Sequence, residues 1–546
     1  MSHPNPSTAL ARTVIDEMAR LGVRLVILSP GSRSAALAIA AADHPELATR
    51  MVIDERSAAF HALGAIRASN RPVVVISTSG SAPTHFFPAL VEADMACLPL
   101  IAVSADRPAE LQGVGANQTM GQEHLFGPKV RAYAGIEAPD ASTDRNVEWR
   151  GTVARLIGAA IGTMPGPVHL NVRFREPTSP VTDDGRIRAE EYAFDTPRID
   201  GVHLSANGDA EVEMPAVSAH RGLVIAGDGV YDRSALRKAA IDLGWPVLAT
   251  ALSGMRGEDT VSAYHHVLSH GVPESLHPET VVAVGAIGPS TRLESLLASA
   301  DERVRIDSWG RVIDPERNAS HRLHGDVVDL LGRAHGVADP AWRGSWMDAE
   351  AVSRAGLHSV LDGEPKMSGA AVARTLNDVE WESLVVASSL PIRDIDAHLV
   401  RSGQVHANRG VSGIDGFVST ALGVAGEGPR TLAFTGDLSL LHDANGFLHD
   451  DAIDLTLVVV DNDGGGLFDS LPHARHAPGY ERLFVTPPGR DLENLARLHG
   501  LGYSEASDPA TLRALCDDSL DRGGIDLIRV EVDRVYDLEL RTRLDE

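Results

Sequence analysis

The sequence predicts an α/β protein made of three doubly wound domains. Three stretches of the chain each alternate apolar strands with helices, and the strands end in Gly, Ser or Pro loops, which is typical of parallel sheets covered on both faces. A chain of 546 residues is also too long for a single hydrophobic core. We expect domains over residues 1–180, 221–340 and 341–546. A segment rich in Pro, Asp, Glu and Gly over 181–220 is expected to be a linker.

The first domain is predicted to begin with a helix at 8–21, followed by strands in five segments: VRLVILSPGSRS (23–34), RMVIDE (50–55), RPVVVISTSGSA (71–82), LPLIAVSADRP (98–108) and PGPVHLNVRFREP (165–177). In MVIDERSAAFHALG (51–64) the apolar strand runs directly into Asp54 and Glu55, and a largely apolar helix follows. A carboxylate at a helix start is commonly an N-cap, and we assign that role to Asp54. The role of Glu55 depends on the rest of the chain.

The central domain is predicted from the strands in RGLVIAGDGVY (221–231), WPVLATALSG (245–254), TVVAVGAIG (280–288) and RVRIDSWG (303–310). Its Gly227-Asp228-Gly229 lacks the full GxGxxG spacing of a nucleotide loop, so a plain strand-end turn is the favoured interpretation. An amphipathic helix around 340–363 precedes the third domain. That domain's strands lie in SLVVASSLPIRD (383–394), GQVHANRGVSGIDG (403–416), RTLAFTGDLSLLHDANG (430–446), DLTLVVVDNDGGGLF (454–468) and IDLIRVEVD (525–533).

Charge and cysteine content restrict the function. The chain has 49 Lys and Arg against 75 Asp and Glu, a net charge of −26, which argues against nucleic acid as a partner. A small anionic substrate would need a local arginine cluster. Cys97 and Cys516 lie among apolar residues without CxxC spacing, so we expect buried free thiols. Without a signal segment or a long apolar run, we expect a cytoplasmic protein that does not insert into membranes.

Two strand ends in the third domain carry candidate metal ligands. Gly436-Asp437 follows one apolar strand, and Asn462 follows the next, just before Gly464, Gly465 and Gly466. The carboxyl ends of parallel strands share one edge of a sheet, where ligands bind. Carboxylate and amide oxygens suit Mg²⁺, and the glycines would let backbone approach a diphosphate.

Gly-Asp followed about two dozen residues later by Asn resembles the signature of thiamine diphosphate enzymes. The resemblance implies a pyrimidine-binding domain over 1–180, a diphosphate-binding domain over 341–546, and thiamine diphosphate held with Mg²⁺, or with Mn²⁺ as the alternative. It implies metal binding by Asp437, Asn462 and Gly464. It also implies that Glu55 is the catalytic glutamate, which shares a proton with N1′ of the aminopyrimidine. Burial would raise the pKa of this carboxyl.

The same resemblance implies that one cofactor bridges the first and third domains across a subunit interface. The expected assembly is a homodimer or a dimer of dimers. Further cofactor contacts are implied for Ser389, Ile414, Gly436, Leu438, Gly464, Gly465, Leu467 and Phe468.

Four segments narrow the resemblance further: SPGSRS (29–34), STSGSA (77–82), SADRPAELQGVGANQTM (104–120) and NRGVSGIDG (408–416). They resemble the 2-succinyl-5-enolpyruvyl-6-hydroxy-3-cyclohexene-1-carboxylate synthases of menaquinone biosynthesis, the MenD family. The resemblance implies decarboxylation of 2-oxoglutarate and addition of the resulting carbanion equivalent to isochorismate, without a nicotinamide. Both substrates are dicarboxylates, and the arginines that follow apolar strands suit them. The implied substrate-binding residues are Ser32, Arg33, Arg107, Asn117, Gln118, Arg292, Arg393 and Arg409.

Some features depart from this pattern. Asp461 and Asp463 flank Asn462 where many relatives carry asparagines, which places extra negative charge near the metal loop. Asp106 stands beside Arg107 and could partly neutralise it. Two alternatives also stay open: another thiamine enzyme, such as an acetolactate synthase or 2-oxo acid decarboxylase, and a regulatory or scaffold subunit that binds no cofactor.

Overall fold

Three parallel β-sheets, each flanked by helices, organise the part of the chain that the structure describes, and they confirm the predicted fold class. The structure is a computed structural model and describes residues 6–137, 146–178, 215–288, 290–428 and 430–545. Most of the segment predicted as a linker, 181–220, lies outside the described residues, so that prediction stays open. The described residues fall into two compact units. One contains those within Met1–Leu204, Asn408–Gly428 and His442–Ile453, and the other contains those within Ser205–Ala407, Pro429–Leu441 and Asp454–Glu546.

The first sheet has the strand order β2-β1-β3-β4-β6-β5 and lies in the first unit. Its strands are β1 (Leu25–Leu28), β2 (Ala48–Met51), β3 (Val73–Ser77), β4 (Leu100–Asp106), β5 (Tyr133–Glu137) and β6 (Val168–Arg173). The helices around it are α1 (Pro6–Arg20), α2 (Ala35–Ala42), α3 (Glu55–Ser69), α4 (Phe87–Ala96) and α5 (Asn146–Ala160).

The strand expected through Ile53 is shorter than predicted. β2 is an edge strand that stops at Met51, and Ile53 is 61% exposed. The residue between them, Val52, is 1% exposed and belongs to the hydrophobic core, so the apolar run reaches the core at Val52 but not at Ile53. Asp54 starts α3 as its N-cap, as predicted, with its Oδ1 accepting hydrogen bonds from the backbone N–H groups of Arg56 (2.9 Å) and Ser57 (3.4 Å).

The second sheet, in the second unit, has the order β11-β10-β9-β7-β8. Its strands are β7 (Gly222–Ala226), β8 (Val247–Ala249), β9 (Thr280–Val284), β10 (Glu302–Ile306) and β11 (His321–Leu323). The associated helices are α6 (Arg233–Asp242), α7 (Tyr264–Val267), α8 (Thr291–Ser299), α9 (Val327–Leu331) and α10 (Trp342–Asp362). Gly227 follows β7 in a turn that pairs with Ala286, and a Cβ at Gly227 would lie 2.4 Å from the Ala286 carbonyl oxygen. A strand-end turn is thus what the structure contains at this point.

The third sheet has the order β13-β12-β14-β15-β17-β16 and also belongs to the second unit. Its strands are β12 (Ser383–Val386), β13 (Gln404–His406), β14 (Thr431–Gly436), β15 (Leu455–Asp461), β16 (Gly502–Glu505) and β17 (Ile525–Glu531). The remaining helices are α11 (Gly369–Thr375), α12 (Leu390–His398), α13 (Phe417–Ala425), α14 (Asp437–His442), α15 (Leu492–His499), α16 (Pro509–Arg522) and α17 (Arg534–Asp545).

Helix α13 packs closely on α3 within the first unit. A Cβ at Gly64 would lie 2.0 Å from the Thr420 carbonyl oxygen, and a Cβ at Gly423 would lie 2.0 Å from the His61 carbonyl oxygen. These two glycines therefore let the helix backbones approach each other directly. The contact fixes the helix that begins with Glu55 against the one that follows the 408–416 segment.

Two further expectations concern cysteine and hydropathy. Cys97 and Cys516 are both buried free thiols, as predicted. Among the described residues, no helix combines the length and apolar character that crossing a bilayer would require.

Candidate active site

The predicted site residues fall into two groups, one in each compact unit. The first unit carries Ser32, Arg33, Glu55, Arg107, Asn117, Gln118, Arg409 and Ile414. The second carries Arg292, Ser389, Arg393, Gly436, Asp437, Leu438, Asn462, Gly464, Gly465, Leu467 and Phe468.

Three of the motif loops of the first unit meet at the carboxyl edge of its sheet, because they follow the adjacent strands β1, β3 and β4. A Cβ at Gly31 would lie 2.2 Å from the Thr78 Cβ, so the first two loops are in contact. The Ser79 hydroxyl donates to the Gln118 carbonyl at 3.0 Å, and the Gln118 amide donates back to the Ser79 carbonyl at 3.0 Å. Gln118 is held in the left-handed region, at φ 53°.

Glu55 is the first residue of α3 and is half-buried. The N-cap residue before it, Asp54, also accepts a hydrogen bond from the Asn445 side chain at 3.0 Å. In the same unit, Ile414 is 40% exposed. Arg409 is half-buried in the same 408–416 segment.

Arg33 is a buried arginine whose charge is already partly paired. Its Nη1 donates to the Phe174 carbonyl at 2.9 Å, and its Nη2 lies 2.9 Å from Glu176 Oε1. Its Nε is buried without a hydrogen-bond partner among the described residues. The Glu176 side chain is 68% exposed, so this ion pair lies at the surface of the site.

Among the described residues, the Asp106 carboxylate makes no ion pair with the Arg107 guanidinium. The neutralisation of Arg107 that its neighbour could have caused is therefore not observed. The Asp106 Oδ1 accepts the backbone N–H of Arg107 at 2.7 Å and the Gln112 side chain at 3.0 Å, and its Oδ2 accepts Asn171 at 2.8 Å. Burial raises the pKa of Asp106 above its ordinary value. A cavity of about 450 Å³ lies beside these residues, lined in part by Gln112, Gln122 and Arg173.

In the second unit, the loops after β12, β14 and β15 lie side by side because these three strands are neighbours in one parallel sheet. Asp437 is 2% exposed. Its Oδ2 accepts the Gly464 N–H at 2.7 Å, which joins the two loops directly, and its Oδ1 accepts the Leu438 N–H at 2.8 Å. The predicted meeting of these loops is therefore observed.

Burial raises the pKa of Asp437 to about 7, an effect that the nearby charges of Asp461 and Asp463 reinforce. Asp461 is paired with Arg529 Nε at 2.6 Å, and Asp463 accepts the Gly489 N–H at 3.0 Å. Both flanking carboxylates thus have protein partners of their own. Asp437 is the buried carboxylate that a cation would neutralise.

The glycines after Asn462 are required by close packing. A Cβ at Gly464 would lie 2.4 Å from the Val485 carbonyl oxygen, and Gly464 has φ 130°. A Cβ at Gly466 would lie 2.6 Å from Asn462 Nδ2. Leu467 and Phe468 follow in the 3-10 helix Gly466–Ser470, and both are half-buried.

Ser389, just before α12, has φ 75° and ψ −128°, a strained backbone for a residue with a side chain. Such strain is characteristic of ligand-binding positions. Arg393 donates from Nη1 to the Ser389 carbonyl at 2.5 Å. Arg292 bonds to the His265 carbonyl and lies 3.0 Å from Asp545 Oδ1, so its guanidinium has protein partners. Its substrate role stays a prediction.

The residues present fit the groups that the resemblance implies. Asp437, the Asn462 side chain and the Gly464 carbonyl could supply one carboxylate and two neutral oxygens, and that carbonyl keeps a second lone pair beside the hydrogen bond from Gly466. Among the described residues, no group of three or more His, Cys, Asp or Glu side chains could hold a metal, so the candidate set relies on amide and backbone oxygen.

Comparison with known proteins decides the family. A model described as "Thiamine pyrophosphate enzyme, N-terminal TPP binding domain" matches residues 8–125. A 2-succinyl-5-enolpyruvyl-6-hydroxy-3-cyclohexene-1-carboxylate synthase of Thermobifida fusca is 42% identical, with 99% of each chain covered. The chain belongs to this synthase family. Synthases of the same name from Myxococcus xanthus (37% identical, 100% of this chain and 97% of the relative) and Lactococcus lactis (35%, 97% of each) are also similar.

Membership in the synthase family confirms the resemblance drawn from the four motif segments. It also agrees with the three parallel α/β sheets. Sequence reasoning missed Glu92 and Arg256, two buried residues that hold segments carrying predicted site residues. No local spacing in the sequence indicates either residue, because Glu92 bonds to Gly410, 318 residues away, and Arg256 bonds to Asp396, 140 residues away.

Proposed function

We propose that this chain catalyses the thiamine diphosphate-dependent decarboxylation of 2-oxoglutarate and adds the succinyl unit to isochorismate. The products are 2-succinyl-5-enolpyruvyl-6-hydroxy-3-cyclohexene-1-carboxylate and CO2, in menaquinone biosynthesis. The observation that carries the proposal is the match to synthases of that name over 99% of the chain. We infer that the enzyme is cytoplasmic and works as a homodimer or a dimer of dimers, in which a partner subunit completes each site.

The second-unit loops supply the diphosphate end of the proposed site. Asp437, the Asn462 side-chain oxygen and the Gly464 carbonyl would hold Mg²⁺, or Mn²⁺ in its place. The buried Asp437 carboxylate, with a pKa raised to about 7, supports this role because a divalent cation would supply the opposite charge that burial demands. Gly465 and Gly466, which are half-buried, would let the backbone approach the phosphates.

The first unit supplies the proton chemistry. Glu55 at the start of α3 would share a proton with N1′ of the aminopyrimidine ring. The exposed Ile414 side chain would support the ring. When bound, the cofactor stores the electron pair released as CO2 leaves.

Arginines would recognise the two dicarboxylates against the overall charge of −26. Arg33, Arg107 and Arg409 in the first unit and Arg393 in the second are the candidates. The polar side chains of Ser32, Asn117 and Gln118 are exposed at the same loops and would orient substrate. Exclusion of water from the site would protect the carbanion equivalent from protonation.

A direct test measures CO2 and the ligated product after the chain is mixed with thiamine diphosphate, Mg²⁺, 2-oxoglutarate and isochorismate. Ligation should require both substrates, and pyruvate should not replace 2-oxoglutarate. Consumption of pyruvate alone would instead identify an acetolactate synthase or a decarboxylase. Absence of calorimetric binding of thiamine diphosphate with Mg²⁺ would identify a subunit without cofactor.

Glu55→Gln tests the proton role. The variant should keep the wild-type melting temperature and lose roughly 10²- to 10⁴-fold in kcat, the range that general acid–base catalysis supplies. Glu46→Gln is the control, because Glu46 lies in the same unit and its ion pair with Arg24 is at the surface. Wild-type turnover in Glu55→Gln would refute the assignment.

A further inference from the structure

An arginine of the central domain binds the C-terminal end of helix α12. Arg256 lies after β8 and is 2% exposed. Its Nη1 donates to the carbonyl of Ile395 at 2.9 Å and also to that of Leu399, and its Nη2 donates to the carbonyl of Asp396 at 2.7 Å. One guanidinium therefore donates to three carbonyls at the end of the helix, of which that of Ile395 also accepts the Leu399 N–H at 3.0 Å. Its positive charge also lies at the negative end of the helix dipole.

The Asp396 side chain adds a second connection to the same region. Its Oδ1 accepts Arg256 Nη2 at 2.9 Å and the Ala251 N–H at 2.7 Å. Its Oδ2 accepts the Tyr264 hydroxyl at 2.5 Å and His265 Nε2 at 2.9 Å. All of these donors lie within residues 251–265, so one carboxylate ties α12 to the loop that follows β8 and to the start of α7.

The groups facing Asp396 keep it charged. Burial alone would raise the pKa of Asp396, but the hydrogen bond and charge of His265 and the charge of Arg256 hold it well below its ordinary value. Asp396 is partly buried, whereas Arg256 is 2% exposed, so removal of the Asp396 carboxylate would leave a buried guanidinium charge without its partner. The connection is therefore fixed in geometry.

The other end of α12 carries Ser389 and Arg393, both assigned to the site. Because α12 has only nine residues, the anchor at its C-terminal turn also sets the position of its first turn. Ser389 is held at φ 75°, a conformation that persists only when the surroundings enforce it. Asp394 is anchored separately by Arg541 of α17, with Oδ2 and Nη2 at 2.9 Å.

We propose that Arg256, through its contacts with Asp396 and the last carbonyls of α12, is a positioning residue of the central domain that holds Ser389 and Arg393 in their binding geometry. This inference rests on the proposed function, in which Arg393 binds a substrate carboxylate. It gives the central domain an indirect part in substrate binding, through the position of α12.

The test compares Arg256→Met with Arg305→Met. Arg305 is also a buried arginine of the central domain, and among the described residues its ion pairs are with Glu294 and Asp314 and not with α12. Arg256→Met should raise the KM of one dicarboxylate about tenfold or more, and Arg256→Lys should restore part of the loss. Arg305→Met should leave both KM values unchanged, even if it melts at a lower temperature.

A double-mutant cycle separates positioning from general stability. If Arg256 acts through α12, Arg256→Met should have little further effect on KM in an Arg393→Ala background, because the group it positions is gone. Equal fold-changes in KM in the wild-type and Arg393→Ala backgrounds would overturn the proposal. Should Arg256→Met fail to fold, Asp396→Asn, which keeps the side-chain shape, enters the same cycle.

Hydrogen exchange of the ligand-free protein keeps this inference separable from the proposed function. The peptide over residues 389–398 should exchange faster in Arg256→Met than in Arg305→Met or wild type. If wild type shows no ligation activity while this difference is present, the proposed function fails and the anchoring of α12 stands. Unchanged exchange at 389–398 would overturn the anchoring itself.

Discussion

Glu92→Gln tests how the first unit holds the segment that carries Arg409. The Glu92 side chain is 1% exposed. Its Oε1 accepts the Gly410 N–H at 2.8 Å and Arg67 Nη2 at 3.0 Å, and its Oε2 accepts the Val411 N–H at 2.7 Å. A Cβ at Gly410 would lie 2.7 Å from the Glu92 carbonyl oxygen, so the segment lies directly on α4.

The size of the effect follows from these contacts. Hydrogen bonds to a charged group contribute about 1.5–3 kcal/mol each, and removal of one partner from a buried ion pair costs about 3–5 kcal/mol. Glutamine offers one acceptor oxygen, and its NH2 group would face the second backbone N–H. The Arg67 charge would also be left buried without its partner. We therefore expect the local stability of the 408–411 segment to fall by about 3–5 kcal/mol.

Hydrogen exchange measured by mass spectrometry is the appropriate assay, because a chain of several domains does not give a single unfolding free energy. A loss of this size predicts that the amides of Gly410 and Val411 exchange roughly 10²-fold faster or more in Glu92→Gln. Glu110→Gln is the matched control, since Glu110 pairs with Arg175 at the exposed surface of the same unit. Equal exchange over 408–416 in Glu92→Gln and Glu110→Gln would refute the reasoning.

Two further predictions address packing and pH. Gly423→Ala should destabilise the first unit by at least about 1–3 kcal/mol, because the new Cβ would lie 2.0 Å from the His61 carbonyl oxygen, whereas Gly158→Ala in α5 meets open space and should leave the melting temperature unchanged or raise it. Equal melting temperatures for these two variants would contradict the close approach of α3 and α13. Burial lowers the pKa of His169 to about 3, so between pH 6.5 and that value the unfolded chain binds a proton that the folded chain does not. The contribution of neutral His169 to the free energy of unfolding is therefore fully present above pH 6.5 and should fall on acidification by up to about 1.4 kcal/mol per pH unit. His169→Gln should show a smaller drop in melting temperature from pH 8 to pH 5 than the wild type does. An identical drop would show that His169 does not contribute.

The architecture could be predicted from the sequence because inner strands such as β3, β7 and β15 are continuous apolar runs closed by turn residues. The register of β12, β14 and β15 follows from that pattern, and it brings Asp437 beside Gly464 as expected. The β2 region was less predictable. Its apolar residues indicate a core strand through Ile53. The order of strands, however, is set by the whole sheet, and it places β2 at the edge.

The first-unit site was predictable as a set of loops but not in its supporting contacts. The spacing places SPGSRS, STSGSA and the 104–120 segment after neighbouring strands, and the contacts of Gly31 and Gln118 bear this out. The left-handed backbone of Gln118 and Ser389 leaves no local signal, since neither is a glycine. Glu92 and Arg256 escaped detection because their partners are remote in the sequence.

The arginines show why sequence position alone could not separate substrate ligands from structural cations. Arg292 and Arg393 both follow apolar strands, yet Arg292 is paired with Asp545, whereas Arg393 donates to the carbonyl of Ser389, the residue just before its own helix. Arg256, which sits in a comparable loop, directs its guanidinium at helix carbonyls and Asp396. These arginines differ in the number of protein acceptors around each guanidinium. The sequence does not show this number, because folding brings the acceptors together. An arginine whose acceptors are all supplied by the protein can position a site, whereas one that keeps donors available can bind a dicarboxylate.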